Sequence, residues 1–292
     1  MTNPNISSSV DSSSLEAACF VFGWTSIIFT TFTIANVLLL LPLIVIILGL
    51  ALQKWRQNRS YFSSASISHC DCFTYHSVAM ETIGVAGCIV SCCGVFMGNL
   101  NVNAIGKYLF FFKWYGEVLF HVLTCLERYV AVVHPVTYLS LKTERGIRMR
   151  NVVVASVWTL CLVFDSLFHF EAMIYWELSF LMLGLVVISF CSVSVLWVLV
   201  RTGPGERGED RKTVVQSKQR ALVTIVSTLA VLTVRVVLNV TLEVVYCSTG
   251  FANCVLLTTV FWFHLPSSLV LPILFLYKQR ENIFKQMMFS KG

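Results

Sequence analysis

Two apolar stretches of the chain carry ionisable side chains at a spacing that could build a polar site in an apolar interior. Within each stretch the residues are four positions apart, and they are Lys113, Glu117 and His121 in one and Arg235, Asn239 and Glu243 in the other. A helix presents residues with this spacing on one face. Because charged side chains are costly in a membrane interior and usually mark function, we predict that the two faces meet, for instance by pairing of Glu117 with Arg235.

Another apolar stretch, from His76 to Met97, is interrupted by a single charged residue, Glu81. Two carboxylates that lie close together rarely both carry charge unless a cation lies between them. If the helices bring Glu81 and Glu117 together, this pair is expected to bind a cation or a proton. The alternative is a network of ion pairs that only fixes helix packing.

The composition indicates that these residues belong to a membrane protein. Of the 292 residues, 57% are hydrophobic and 12% are charged, whereas soluble domains carry about 25% charged residues. So few charges exclude an ordinary cytosolic enzyme, and so many apolar residues exclude a disordered chain. Lipid is therefore the expected solvent for most of the chain.

Seven stretches are long and apolar enough to predict membrane-spanning helices. They cover residues 26–53, 76–97, 105–133, 152–169, 178–200, 221–246 and 254–277. The predicted fold is an all-α seven-transmembrane helix bundle that occupies residues 26–277. Residues 1–25 form an extracellular N-terminal segment, and residues 278–292 form a cytoplasmic tail whose short amphipathic helix lies on the membrane surface.

The positions of the basic residues predict the orientation in the membrane. Of the 21 Lys and Arg residues, 18 fall in the alternate loops and the C-terminal tail that share one side. Since basic loops stay in the cytoplasm, the N-terminus is predicted outside and the C-terminus inside, in a multi-pass protein of the plasma membrane. Asn5 then lies in an extracellular glycosylation sequon, which predicts a glycoprotein. The net charge of +6 reflects topology and does not indicate nucleic-acid binding.

A motif at the end of the third stretch is similar to that of a known protein family. Glu127-Arg128-Tyr129 is followed by Pro135, seven residues after the Arg, and by Tyr138, three residues later. This arrangement resembles the signature of rhodopsin-like (class A) G-protein-coupled receptors. The resemblance implies that Glu127 holds Arg128 at the cytoplasmic mouth until outward movement of the sixth helix frees it for a heterotrimeric G protein. The alternative is a charge pair that snorkels at a helix end.

The resemblance extends to other helices. Trp158 resembles the family's fourth-helix Trp, and Ser268 and Pro272 keep part of its seventh-helix motif. The Tyr of that motif is either replaced by Phe275 or, if the turn is two residues longer, corresponds to Tyr277.

The resemblance also implies an identity for the cation near Glu81 and Glu117. These residues stand where the family places the acidic and hydroxyl ligands of a sodium ion. The expectation is an internal polar site, with His121 and Arg235 beside it, that holds sodium or a proton and biases the inactive state. No other cofactor is expected.

Several departures from the family pattern put standard activation in doubt. Asn103 stands where the third helix usually carries a disulfide-bonded Cys, and the sixth stretch lacks the C-W-x-P hinge. Cys247 and Cys254 flank the last outer loop, where they either form a disulfide or remain two free thiols. Palmitoylation of Cys70 and Cys72, which lie just before the second stretch on the predicted cytoplasmic side, is left open.

The ligand is specified mainly by exclusion. Phe110 stands where aminergic receptors carry Asp, and Leu265 stands where opsins carry the retinal Lys. The predicted pocket residues share the outer half of the third, sixth and seventh stretches, and they are Phe110, Lys113, Trp114, Asn239, Trp262 and His264. Aromatic residues at helical spacing could equally serve helix packing.

The sequence therefore predicts a receptor, with the lipid bilayer, a heterotrimeric G protein and an unidentified extracellular ligand as partners, and with signal transduction as its role. One alternative is a seven-helix protein that no longer couples and acts as a decoy, which the missing hinge and disulfide favour. Another is a small-solute or proton transporter, although no repeat symmetry supports it. No enzyme motif is found.

Overall fold

The computed structural model describes residues 23–57, 68–167, 170–201, 209–249 and 254–289, and at some of these positions only the backbone. This part of the chain contains eight helices and no strand: α1 (Gly23–Gln57), α2 (His69–Phe96), α3 (Leu100–Val133), α4 (Pro135–Leu141), α5 (Glu144–Leu167), α6 (Phe170–Arg201), α7 (Glu209–Thr249) and α8 (Cys254–Phe289). All except α4 are long and apolar enough to span a bilayer. The predicted all-α fold with seven spans is confirmed.

The helices are longer than the apolar stretches that predicted them. α2 begins at His69 rather than His76, and α3 begins at Leu100 rather than Ile105. Hydropathy marks only the apolar part of a helix, whereas the backbone stays helical into its polar ends because each turn satisfies its own hydrogen bonds. Helical backbone also continues beyond Tyr277, where α8 runs without a break to Phe289. The predicted tail helix is therefore a continuation of the last span.

A tight turn joins α2 to α3. Gly98 has φ 64°, a left-handed conformation that glycine adopts without steric cost. Asn99 then caps α3, because its side-chain oxygen accepts hydrogen bonds from the backbone N–H of Asn101 at 3.1 Å and of Val102 at 3.3 Å. The two helices are thus held as an antiparallel hairpin.

The two arms of this hairpin pack with their backbones almost in contact. A Cβ added at Gly106 would lie 2.2 Å from the backbone nitrogen of Ser91, and one added at Gly94 would lie 2.3 Å from that of Asn103. Ser91 also donates a hydrogen bond to the side-chain oxygen of Asn103 at 2.6 Å. Asn103 therefore ties α3 to α2.

α3 lies at the centre of the bundle, packed against α2, α5, α6 and α7. α1 closes the other side by packing against α2 and α8. The outer faces of the spans are apolar, with Leu38 and Val193 each 67% exposed, as expected where lipid replaces water. Polar residues on α3 are consequently directed into the bundle.

Candidate functional site

Four charged side chains from three helices meet in the middle of the bundle and form what we call the central charge cluster: Glu81 of α2, Lys113 and Glu117 of α3, and Arg235 of α7. Each is 2% exposed or less. The Nζ atom of Lys113 lies 3.1 Å from Glu81 Oε2 and 3.0 Å from Glu117 Oε2. It also donates a hydrogen bond to the hydroxyl of Ser268 on α8, so that one ammonium group joins three helices.

Arg235 completes the central charge cluster from α7. Its Nη1 atom lies 3.7 Å from Glu117 Oε1, and Nη2 donates to Nδ1 of His264 on α8. The guanidinium also lies over the ring of Trp114, 4.9 Å from its centroid, a cation–π arrangement. The pairing of Glu117 with Arg235, predicted from helical spacing, is confirmed.

His121 lies on the same face of α3, one turn beyond Glu117. Its Nδ1 donates to the backbone carbonyl of Glu117 at 2.6 Å. This contact directs the ring along its own helix, so His121 is buried beside the central charge cluster without an ion pair to it among the described contacts.

The space between the two carboxylates, at which sodium was expected, contains the Lys113 ammonium. Lys113 was predicted to line the ligand pocket, but its stem runs across α2 at Gly84, where an added Cβ would lie 2.7 Å from Cγ and Cδ. The central charge cluster thus contains two carboxylates and two cations from the chain itself. Sodium binding remains a prediction that these contacts do not test.

Three of the remaining predicted pocket residues, Phe110, Trp114 and His264, are packed together. Phe110, Trp114 and His264 are each at most 3% exposed, and the rings of Phe110 and His264 are 5.4 Å apart. Trp262 is 37% exposed, with its ring against Phe32 of α1, and Asn239 is half-buried on α7. These three side chains therefore serve aromatic packing, which was the alternative to a role in the pocket wall.

A second group of polar contacts surrounds Arg128, at one end of the bundle that we call the Arg128 end. Arg128 Nε lies 3.6 Å from Glu127 Oε2, as expected from the motif, and Nη2 donates to the Cys70 sulfur of α2 at 2.7 Å. Tyr138 of α4 donates its hydroxyl to Glu127 Oε1 at 2.9 Å. Arg128 is therefore held by α2 and by a carboxylate that α4 in turn restrains.

Tyr138 is positioned by a short new helix that follows α3. α3 ends at Val133, and Pro135 opens α4 at a position where its missing N–H costs no hydrogen bond. One turn of α4 then brings Tyr138 over Glu127. Burial and the neighbouring carboxylate raise the pKa of the Tyr138 phenol, so the hydroxyl stays a donor. Tyr129 points away from this contact, with its hydroxyl 3.3 Å from His134.

Three residues at the Arg128 end were not predicted as site residues: Cys70, Asp71 and Lys278. Lys278 of α8 donates to Asp71 of α2 at 2.7 Å, with the Asp71 side chain 6% exposed. Asp71 is an acidic residue at a strongly basic end of the protein, which is a signal that could have marked it. The contact of Cys70 with Arg128 depends on the register of α2 against α3 and has no such signal.

On α8 the structure distinguishes the two candidates for the motif Tyr. Phe275 is 4% exposed and its ring packs 5.6 Å from that of Tyr75 on α2. Tyr277 is 63% exposed. Phe275 therefore occupies the inward position and Tyr277, our predicted motif residue, faces outward. Pro272 and Ser268 are both buried in the bundle.

Other predictions fall outside the described part of the chain. Asn5 lies in residues 1–22, and the side chains of Cys247, Cys254 and Glu243 are also outside the described part of the chain. The disulfide and glycosylation predictions therefore stay predictions.

Comparison with known proteins gives a distant likeness. No family model matches the chain. Chemokine XC receptor 1 of Mus musculus is 28% identical over 116 residues, which cover 34% of this chain and 35% of that receptor. The chain thus matches about a third of the length of this curated relative. Together with seven spanning helices, the likeness supports a receptor-like, multi-pass membrane protein and favours a non-enzymatic role.

Proposed function

We propose that this chain is a G-protein-coupled receptor that transmits the binding of an extracellular ligand to a heterotrimeric G protein. The observation that carries the proposal is the environment of Arg128. The arginine is 21% exposed, and it is held by Glu127 and Cys70 while Tyr138 restrains Glu127. A motif at the expected end of α3 is thus restrained by contacts that can be broken, as a switch requires.

The orientation follows from the basic residues. Because 18 of the 21 Lys and Arg residues share the side of Arg128, we place the Arg128 end in the cytoplasm of a plasma-membrane protein, with the N-terminus outside. Arg128 then faces the compartment in which G proteins act.

The central charge cluster offers a pivot for α7. α7 is the sixth spanning helix, because the short α4 does not span the membrane. It lacks the Pro of the family's hinge, but Arg235 anchors its middle to Glu117 of α3 and to His264 of α8. With the middle fixed, outward tilting of α7 moves its end near Arg128 more than its centre. Such tilting, favoured by ligand on the outer side, would expose Arg128 to a partner.

The test is G-protein activation in cells that express the protein, measured at equal surface expression with and without stimulus. The likeness to a chemokine receptor makes chemokines the first stimuli to try. We expect activation, basal or stimulated, that Arg128→Ala abolishes. Arg148→Ala removes an exposed Arg from α5 at the same end and is the matched control, for which activation is retained.

The outcomes separate the alternatives. Absence of activation by every stimulus in cells that display the protein would refute receptor signalling and favour a decoy. Solute or proton flux without activation would favour a transporter that uses the buried charges.

A further inference from the structure

We propose that Lys113 is a tethered counter-ion: its ammonium takes the place of a free sodium ion between Glu81 and Glu117, which makes the protein insensitive to sodium. A corollary is that a neutral residue at position 113 converts the central charge cluster into a sodium site. Insensitivity to sodium would be a property of the folded bundle, independent of whether the protein couples to a G protein.

The position of the ammonium supports this role. Lys113 Nζ is 3.1 Å from Glu81 and 3.0 Å from Glu117, and it donates to the hydroxyl of Ser268. Carboxylate and hydroxyl oxygens from three helices surround the ammonium, and oxygen atoms are the ligands that hard cations prefer. The lysine ammonium is a compact point charge, so it can occupy such an oxygen cage, whereas a planar guanidinium would not fill it in the same way.

The packing around the lysine stem shows that the fold accommodates this residue. α2 carries Gly84 where the stem crosses it, and a Cβ there would lie 2.7 Å from Cγ and Cδ of Lys113. The absence of a side chain on Gly84 provides the groove through which the stem reaches Glu81. The groove lies on α2 and the lysine on α3, which are the two helices of the hairpin.

The charge balance explains why a further cation is excluded. In their ionised forms, Glu81 and Glu117 contribute two negative charges, which balance the two positive charges of Lys113 and Arg235 in a cluster that is 2% exposed or less. His264 accepts from Arg235 and therefore adds no charge. A sodium ion added to this neutral cluster would leave a buried excess charge, which is costly. Loss of the lysine leaves one excess negative charge, which favours uptake of one monovalent cation.

The experiment measures the thermal stability of the purified full chain in detergent, in NaCl and in N-methylglucamine chloride at equal ionic strength. The variants are Lys113→Ala and Lys113→Asn, of which the second keeps a side-chain oxygen in the cage. Lys107→Ala, on the same helix but outside the central charge cluster, is the matched control. The double variant Lys113→Ala/Glu117→Gln restores charge balance by removing one carboxylate.

We expect the wild type, Lys107→Ala and the double variant to show equal stability in both salts. The Lys113 single variants should gain stability in NaCl only, with the folded-to-unfolded ratio rising about elevenfold at ten times their dissociation constant for sodium. Sodium-specific stabilisation of the wild type would overturn the proposal, even if no single variant could be purified. Equal stability of folded Lys113 variants in both salts would overturn it as well.

Discussion

Replacement of Glu117 should strongly destabilise the bundle, because Glu117 is the carboxylate that faces both buried cations. Its side chain is fully buried, 3.0 Å from Lys113 and 3.7 Å from Arg235. Glu117→Gln keeps the shape but leaves Lys113 and Arg235 facing a single carboxylate, Glu81. Breaking a buried pair from one side costs about 3–5 kcal/mol, which is roughly two to four powers of ten in the folding equilibrium.

The same reasoning predicts a rescue. Arg235→Met alone leaves two carboxylates against one ammonium and should also lower the free energy of unfolding by about 3–5 kcal/mol. The double variant Glu117→Gln/Arg235→Met keeps the neutral pair of Lys113 and Glu81 and puts an apolar side chain beside Trp114. Because a buried pair replaced as a whole costs little, the double variant should be more stable than either single one.

The assay is unfolding of the purified protein by SDS in mixed micelles at constant salt, followed by tryptophan fluorescence. Glu144→Gln, which neutralises an exposed carboxylate at the start of α5, is the control and should change stability by less than about 0.5 kcal/mol. Losses of the two single variants that simply add in the double variant would refute the view that the central charge cluster is one balanced unit.

Two further predictions concern the hairpin and the Arg128 end. Gly106→Ala pushes a methyl group into the backbone of α2 and should lower the free energy of unfolding by about 1–3 kcal/mol. The control is Gly49→Ala, which has open space around it and should leave the free energy of unfolding unchanged or raise it. Both values are measured by unfolding in SDS. Tyr138→Phe removes a hydrogen bond to the Glu127 carboxylate that is worth about 1.5–3 kcal/mol. If the protein signals as proposed, this variant should raise basal G-protein activation roughly tenfold or more. Tyr108→Phe is the control.

The pH dependence of the Tyr138 effect follows from the raised pKa of its phenol. A phenol whose pKa lies above its ordinary value keeps its proton throughout the physiological range. The ratio of basal activation between Tyr138→Phe and wild type should therefore be the same at mildly acidic and mildly alkaline pH. A ratio that falls towards one as the pH rises would mean that the wild-type hydrogen bond is already lost.

Hydropathy and spacing predicted much of the architecture. The seven spans and the contact of Glu117 with Arg235 followed from patterns that a helix imposes on its own sequence. The helix ends did not follow, because the polar first turns of α2 and α3 carry no apolar signal. α4 was missed for the same reason, although Pro135 is typical of a helix start.

The position of Lys113 was beyond such patterns. The sequence predicted which face of α3 carries Lys113. Its contact with Glu81, however, depends on how α2 and α3 rotate against each other and on a groove that exists because residue 84 is Gly. The same is true of Cys70 beneath Arg128. Contacts across helices are set by the register of two packed surfaces, which a single sequence does not display.

The hairpin of α2 and α3 bears on how the chain enters the membrane at all. α3 carries Lys113 and Glu117 through the bilayer, and α2 carries Glu81. Since three residues separate the two helices, Lys113 can meet Glu81 as soon as these neighbours pair, before the later helices are made. Two helices that would each expose a charge to lipid can thus cross together as a partly neutralised unit, and the close backbone packing at Gly94 and Gly106 makes that early pairing specific.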